Sequence, residues 1–256
     1  MTLTRFGWDH DLEALFSNHA AAGLVAGRVL TAARENYRLA TPHGELAAEL
    51  SGRLRFSAGS AAELPAVGDW VAARAYPGDG LAVVEAVVPR RTALVRRAAG
   101  RREQPQLLAA NVDLLLVAAP LDGALRERRV ERFLALAREA GIPPAVVLTK
   151  GDLASDPEAS LAAAVAIAGG APVVAVSART GAGLEGLSAM LPPGRTAALL
   201  GPSGAGKSTL LNALLGEARQ ATREVRAEDL RGRHATTHRE LFALPSGALL
   251  VDTPGL

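Results

Sequence analysis

Residues 196–209 read Thr196-Ala197-Ala198-Leu199-Leu200-Gly201-Pro202-Ser203-Gly204-Ala205-Gly206-Lys207-Ser208-Thr209. From Gly201 onward the stretch satisfies G-x-x-x-x-G-K-[ST] in full. An apolar run leads into it, and Leu210, Leu211, Leu214 and Leu215 recur at helical spacing after it. Strand, glycine loop and helix together let consecutive backbone N–H groups turn onto phosphate oxygens at a helix N-terminus. Lys207 is placed to bridge β- and γ-phosphates, and the Ser208 hydroxyl to ligate magnesium. The bland alternative is a glycine-rich turn that binds nothing.

Downstream, Asp252-Thr253-Pro254-Gly255 closes an apolar run at 248–251. This D-x-x-G pattern places Asp252 on magnesium through water and the Gly255 N–H on the γ-phosphate. Between the two motifs lies Arg231-Gly232-Arg233-His234-Ala235-Thr236-Thr237-His238, polar and glycine-containing. It suits a switch loop in which Thr236 or Thr237 completes the metal shell, although an ordinary solvated loop has the same composition.

Upstream, Thr149-Lys150-Gly151-Asp152 follows the apolar run 145–148 and matches N-K-x-D with Thr in the first place. Guanine offers two adjacent donors on its Watson–Crick edge, and one carboxylate accepts both; adenine offers an acceptor and a donor. Asp152 therefore selects guanine, on the order of 10⁴-fold in favourable sites. The stem of Lys150 would cover the purine plane. Thr149, shorter than Asn, stands to lose one base or loop-bracing hydrogen bond, about 1 kcal/mol. Ser177-Ala178, between the run 172–176 and Gly181-Ala182-Gly183-Leu184, supplies a companion loop for the guanine carbonyl.

Chain order is unusual. A P-loop sheet needs several strands, yet residues 210–256 are too few to supply them. The missing strands must precede the phosphate loop, where the base-reading segments already lie. The sheet is thus cut and rejoined, which neighbouring termini permit. Apolar runs at 112–118, 145–149, 172–176, 196–200 and 248–251 alternate with helical segments, the mark of an α/β sheet. One helix is expected over 125–140, ending at Gly141 before Pro143 and Pro144, and another from Ser155 or Asp156 with Pro157 in its first turn.

Residues 24–88 read differently, as short strands between turn residues, with a hairpin at 69–76 and 81–88 around Pro77-Gly78-Asp79-Gly80. A small β-barrel or a sandwich fits this spacing. The domain boundary is placed near residue 100: 1–99 holds an N-terminal extension and barrel, and 100–256 the permuted nucleotide-binding domain.

Composition narrows the classes. The chain has 256 residues, 49% hydrophobic and 21% charged, without cysteine, which removes disulfides and Cys-ligated zinc. A pI of 9.5 accompanies a net charge of only +2, so basicity matters only locally. Of 28 basic residues, Lys150 and Lys207 alone are lysines, and both fall in nucleotide motifs where a compact ammonium is needed. Arg90, Arg91, Arg96, Arg97, Arg101 and Arg102 form the best local RNA-backbone candidate; a solvated charged stretch is the plain alternative. Residues 1–16 carry acids and no apolar core, so no secretory signal is read there. The uncharged stretch 159–178 contains Gly169, Gly170 and Pro172, and reads as helix, turn and strand rather than a membrane span. Cytosolic placement, no membrane and a monomer are expected.

The permuted motif order, Ala109-Ala110-Asn111-Val112-Asp113 and Gly232-Arg233-His234-Ala235-Thr236-Thr237 resemble the bacterial small-ribosomal-subunit biogenesis GTPases of the RsgA family. The resemblance covers essentially the whole chain. It implies an N-terminal OB-fold barrel followed by a circularly permuted P-loop GTPase domain. It also implies GTP and GDP with magnesium as ligands, and the small ribosomal subunit and its rRNA as partners in late maturation, with subunit-stimulated hydrolysis. Two departures stand out. The chain stops at Leu256, before the family's zinc-binding domain, so a truncated form and no zinc are expected. The family's H-T-T-T appears as His234-Ala235-Thr236-Thr237. Leu256 occupies the place where many GTPases carry a water-orienting Gln. Intrinsic turnover is therefore expected near the roughly 10⁻⁴–10⁻² s⁻¹ of unstimulated GTPases. By resemblance, His234 is the substitute water-positioning group. Rival functions are a GTP-dependent binding module with negligible turnover and a P-loop NTPase acting off the ribosome.

Overall fold

The computed structural model describes residues 2–33, 36–96, 106–216 and 239–253. Helix α1 (His10–Ala21) starts where the Asp9 carboxylate accepts the Leu12 N–H at 3.0 Å. Its Leu12 and Phe16, four apart and both buried, face the body of the protein. Trp8 anchors the helix, edge-on to Phe16 at 5.5 Å and to Trp70 at 4.8 Å.

The barrel follows. Strands β1 (Val25–Ala33), β2 (Asn36–Thr41) and β3 (Gly44–Leu50) form a meander, and helix α2 (Gly52–Ser57) leads to β4 (Trp70–Tyr76) and β5 (Leu81–Val87). The hairpin β4–β5 turns through Pro77–Asp79 and a left-handed Gly80, as expected. β5 lies parallel to β3 and β4 returns to β1, which closes the sheet on itself, an OB-like barrel rather than a sandwich. In β3 alternate residues are buried, the pattern of a strand with one face on the barrel core of Val29, Leu39, Leu46, Val71 and Val84.

Beyond the barrel, β6 (Ala93–Arg96) and β7 (Gln106–Ala110) pair as a separate antiparallel ribbon. The boundary placed near residue 100 lies outside the described residues. The α/β half contains β8 (Leu114–Pro120), α3 (Glu127–Glu139), β9 (Pro144–Thr149), α4 (Pro157–Ala168), β10 (Val173–Ala175) and α5 (Leu184–Ala189). It continues through β11 (Thr196–Leu200), α6 (Lys207–Leu215), β12 (Glu240–Ala243) and β13 (Leu249–Asp252). Spatial order is β10-β9-β8-β11-β13-β12, parallel except for β12. The phosphate-loop strand β11 is central although it comes late in the chain, as the permuted order requires.

Helices cover both faces of this sheet. Leu115, Val117 and Ala119 of β8 pack with Val130, Phe133, Leu134 and Ala137 of α3. The alternate residues Leu116 and Ala118 pack with Leu210, Leu211 and Leu215 of α6. One strand is displaced from its expected bounds, and one element is additional. The strand read at 112–118 runs Leu114–Pro120, because Asn111 sits in left-handed backbone (φ 53°) and ends β7 before the chain can extend again. β12 was not anticipated. It adds to β13 and, through Thr31 opposite Glu240, joins the sheet to barrel strand β1, where Arg38 also pairs with Glu240. The stretch 159–178 is helix, left-handed Gly169 and short strand, and no helix among the described residues is long and apolar enough to cross a membrane.

Candidate functional site

The phosphate loop leaves β11 at Leu200 and enters α6 at Lys207. A side chain at Gly201 would begin 2.7 Å from the Ala118 carbonyl oxygen, so the loop can start this close to β8 only with glycine. Gly204 and Gly206 hold left-handed backbone at φ 78° and 76°, which turns the intervening N–H groups inward. The Lys207 ammonium donates to the carbonyls of Gly201 (2.9 Å) and Pro202 (3.0 Å) and is buried. Burial pushes its pKa down, opposed by the charge of Asp252. Ser208, in the first turn of α6, is half-buried.

The 149–152 loop lies against this cradle. The Thr149 hydroxyl, buried at the end of β9, donates to the Ala205 carbonyl at 2.6 Å. Of the two hydrogen bonds that Thr stood to lose, to the base or within the loops, the bracing one is made here, the short side chain sitting close enough to reach. Lys150 adopts left-handed backbone (φ 58°), and its Cε and Cγ come within 3.8 and 3.9 Å of where a Gly206 side chain would begin. Its ammonium pairs with Asp122, a residue with no motif to mark it in the sequence. The Gly151 N–H donates to Val176 at 3.0 Å, fastening this loop to β10. Asp152 Oδ1 accepts the Ser177 hydroxyl at 2.7 Å, and Ser177 Oγ in turn accepts the Thr180 N–H at 3.2 Å. Ala178 follows in the same turn. Gly183 completes it, at φ 73° with space for no side chain beside the Ala175 carbonyl.

Across the cradle, Asp252 is buried at the end of β13, opposite Leu199 of β11 in register. Thr253 donates to the Leu199 carbonyl at 2.6 Å and fixes the chain there. Ser208 and Asp252 offer the hard oxygen donors that magnesium prefers. Among the described residues no cluster of three or more His, Asp or Glu side chains could hold a metal alone. His234, Thr236, Thr237, Gly255 and Leu256 lie outside the described residues. Thus Thr149, Lys150, Gly151, Asp152, Ser177 and Ala178 come together with Gly201 to Thr209 and Asp252, from both sides of the permutation.

The arginine stretch divides. Arg90 donates Nε and Nη2 to the two oxygens of buried Asp69, both at 2.8 Å, and reaches the Leu64 carbonyl at 2.9 Å. Arg91 grips Asp9 through two 2.6 Å bonds. Arg90 is thus engaged in a largely buried ion pair, whereas Arg91, paired with Asp9, stays at the surface. Arg96 is exposed, and Arg97, Arg101 and Arg102 lie outside the described residues.

Comparison with known proteins agrees with this geometry. The RsgA GTPase family model matches residues 87–256. A small ribosomal subunit biogenesis GTPase RsgA from Opitutus terrae is 46% identical over 264 residues, covering 100% of this chain and 72% of the relative. One from Streptomyces coelicolor is 46% identical, covering 99% and 69%. Among solved structures, YjeQ from Thermotoga maritima superposes with a TM-score of 0.65 at 24% identity, covering 91% of this chain and 75% of that one. YloQ, described as a circularly permuted GTPase, gives 0.60 at 22% identity, covering 91% and 71%.

Proposed function

The chain belongs to the RsgA GTPase family, and on that premise we propose that it binds GTP and GDP across the seam between the 149–152 loop and the phosphate loop, and acts in late maturation of the small ribosomal subunit. The observation that carries the site is the Thr149–Ala205 hydrogen bond, which sets the base-reading loop against the phosphate cradle. In this reading Asp152 accepts both guanine donors, and the Ser177-Ala178 backbone meets the guanine carbonyl. The Lys150 stem, steadied by Asp122, covers the ring. The Lys207 ammonium moves from the Gly201 and Pro202 carbonyls onto β- and γ-phosphate oxygens, and the N–H groups around Gly204 close on the same phosphates.

Ser208 and Asp252 would hold magnesium, the latter through water, with Thr236 or Thr237 completing the shell. Bound there, the ion offsets charge on the β- and γ-phosphates. His234 is our candidate for orienting the attacking water, with Gly255 donating to the γ-phosphate. Binding to the small subunit would bring His234 into place and accelerate hydrolysis, consistent with a monomeric cytoplasmic factor that contacts rRNA. The test is GTP hydrolysis by the chain with and without purified small ribosomal subunits. Subunits should raise turnover at least tenfold; equal rates would refute the ribosomal role while leaving nucleotide binding intact.

A further inference from the structure

A second concave site lies at the far end of β11 from the phosphate loop. It is a cavity of about 330 Å³ between the barrel, the segment carrying Trp8, and the start of the P-loop strand. That volume sits at the lower end of small-molecule pockets. Arg28, from barrel strand β1, lines it while only 2% exposed. Its Nη2 donates to Thr196 Oγ1 at 2.9 Å and to the Asn111 carbonyl at 3.3 Å, and its guanidinium lies 5.0 Å from the centroid of the Trp70 ring.

Among the described residues no carboxylate forms an ion pair with this guanidinium, and Asp69 and Asp113 act on it only through their charge. Nε is buried without a partner, and Nη1, beside cavity residue Gly7, donates to nothing among the described residues. The nearby acids are engaged elsewhere. Asp69 is held by Arg90; Asp113 accepts from Arg195 at 2.9 Å and from the Thr196 N–H at 2.8 Å; Asp9 is gripped by Arg91, with Asp11 3.6 Å from the same arginine at the solvent edge. Burial lowers the Arg28 pKa to about 10, so it stays charged at neutral pH. Among the described residues this buried cation contacts only a hydroxyl, a carbonyl and a ring, with the Asp69 and Asp113 charges acting from farther away, an arrangement that an oxyanion in direct contact would stabilise.

We propose that this cavity binds a small organic anion, its carboxylate or phosphate group on Arg28 and its apolar body against Trp8 and Leu12. The site is separate from the nucleotide loops and does not rest on their assignment.

Trp8 and Trp70 are the chain's two tryptophans, and both line the cavity, so intrinsic fluorescence reports it directly. With the phosphate loop saturated by GDP and magnesium, the protein is titrated with benzoate, phenyl phosphate and, as a neutral control, benzyl alcohol. A saturable emission change is expected with benzoate or phenyl phosphate, the stronger of the two identifying the preferred head group, and none with benzyl alcohol. Arg28→Met, checked for thermal unfolding and GDP binding, should weaken that response at least tenfold. Should Arg28→Met not fold, anomalous scattering from crystals of the unmodified protein grown with 4-bromobenzoate decides, with bromine expected in the cavity beside Arg28. No saturable change, an undiminished response in Arg28→Met, or no bromine in the cavity overturns the proposal.

Discussion

The Thr149 hydroxyl donates a 2.6 Å hydrogen bond to the carbonyl of Ala205, joining the end of β9 to the middle of the phosphate loop across 56 positions of sequence. Both residues are buried, so the bond is shielded from competing water. It makes the separation between the 149–152 loop and the 201–209 loop a property of the fold.

Thr149→Val keeps the shape and removes the donor. The Ala205 carbonyl is then buried without its partner, at a cost of about 1–3 kcal/mol. Dissociation constants for GTP and GDP should rise together, by roughly 5- to 150-fold. Thr149→Ser should stay within a few-fold of the parent. Calorimetric titration of both nucleotides checks this, and an unaffected Thr149→Val would show that the brace does not position the loop.

Arg90 is held in a largely buried ion pair. Its fork is the ionic partner of Asp69, whose carboxyl burial pushes upward in pKa and Arg90 pulls back down. Removing one member of such a buried pair costs about 3–5 kcal/mol. Arg90→Ala should therefore lower the urea midpoint sharply. Arg96→Ala, at an exposed position, should leave stability alone and flatten the salt dependence of subunit binding.

The Asp9–Arg91 pair gives a pH signature. Hydrogen bonding to Arg91, against a smaller desolvation effect, lowers the Asp9 carboxyl from 3.8 to about 2. A depressed acid stabilises the fold above its unfolded value and loses that contribution as pH falls through its folded one. Asn also caps helices, so Asp9→Asn isolates the ion pair. The variant should melt about 1–3 °C below the parent at pH 7, a modest shift suited to an exposed pair. The gap should close between pH 4 and pH 2. A gap that persists at pH 2 would assign the effect to the cap instead.

Much of this architecture is legible in the residues, for definite reasons. β11 and the phosphate loop are readable because an apolar run, a required glycine and a helical leucine pattern are contiguous. Helix α3 is readable because Val130, Phe133, Leu134 and Ala137 repeat at helical spacing. Helix α1 is not, because it buries little beyond Leu12 and Phe16 and owes its place to Trp8 packing on Trp70. β12 is four residues long and exists by pairing with β13. The ion pairs of Arg90 and Arg91 are not legible because their acids lie 21 and 82 positions away. Asp122 meets Lys150 across 28 positions with no spacing rule to announce it.

The central claim is that Asp152 reads guanine in the same bound nucleotide whose phosphates Lys207 holds. Asp152→Asn changes a double acceptor into a group with one acceptor and one donor, matched to xanthine rather than guanine. Measured by equilibrium binding to both nucleotides, the variant should lose GTP affinity at least 100-fold and gain XTP affinity, while the parent prefers GTP over ATP by orders of magnitude. Unchanged GTP affinity in Asp152→Asn, or ATP binding as tightly as GTP in the parent, would contradict the account.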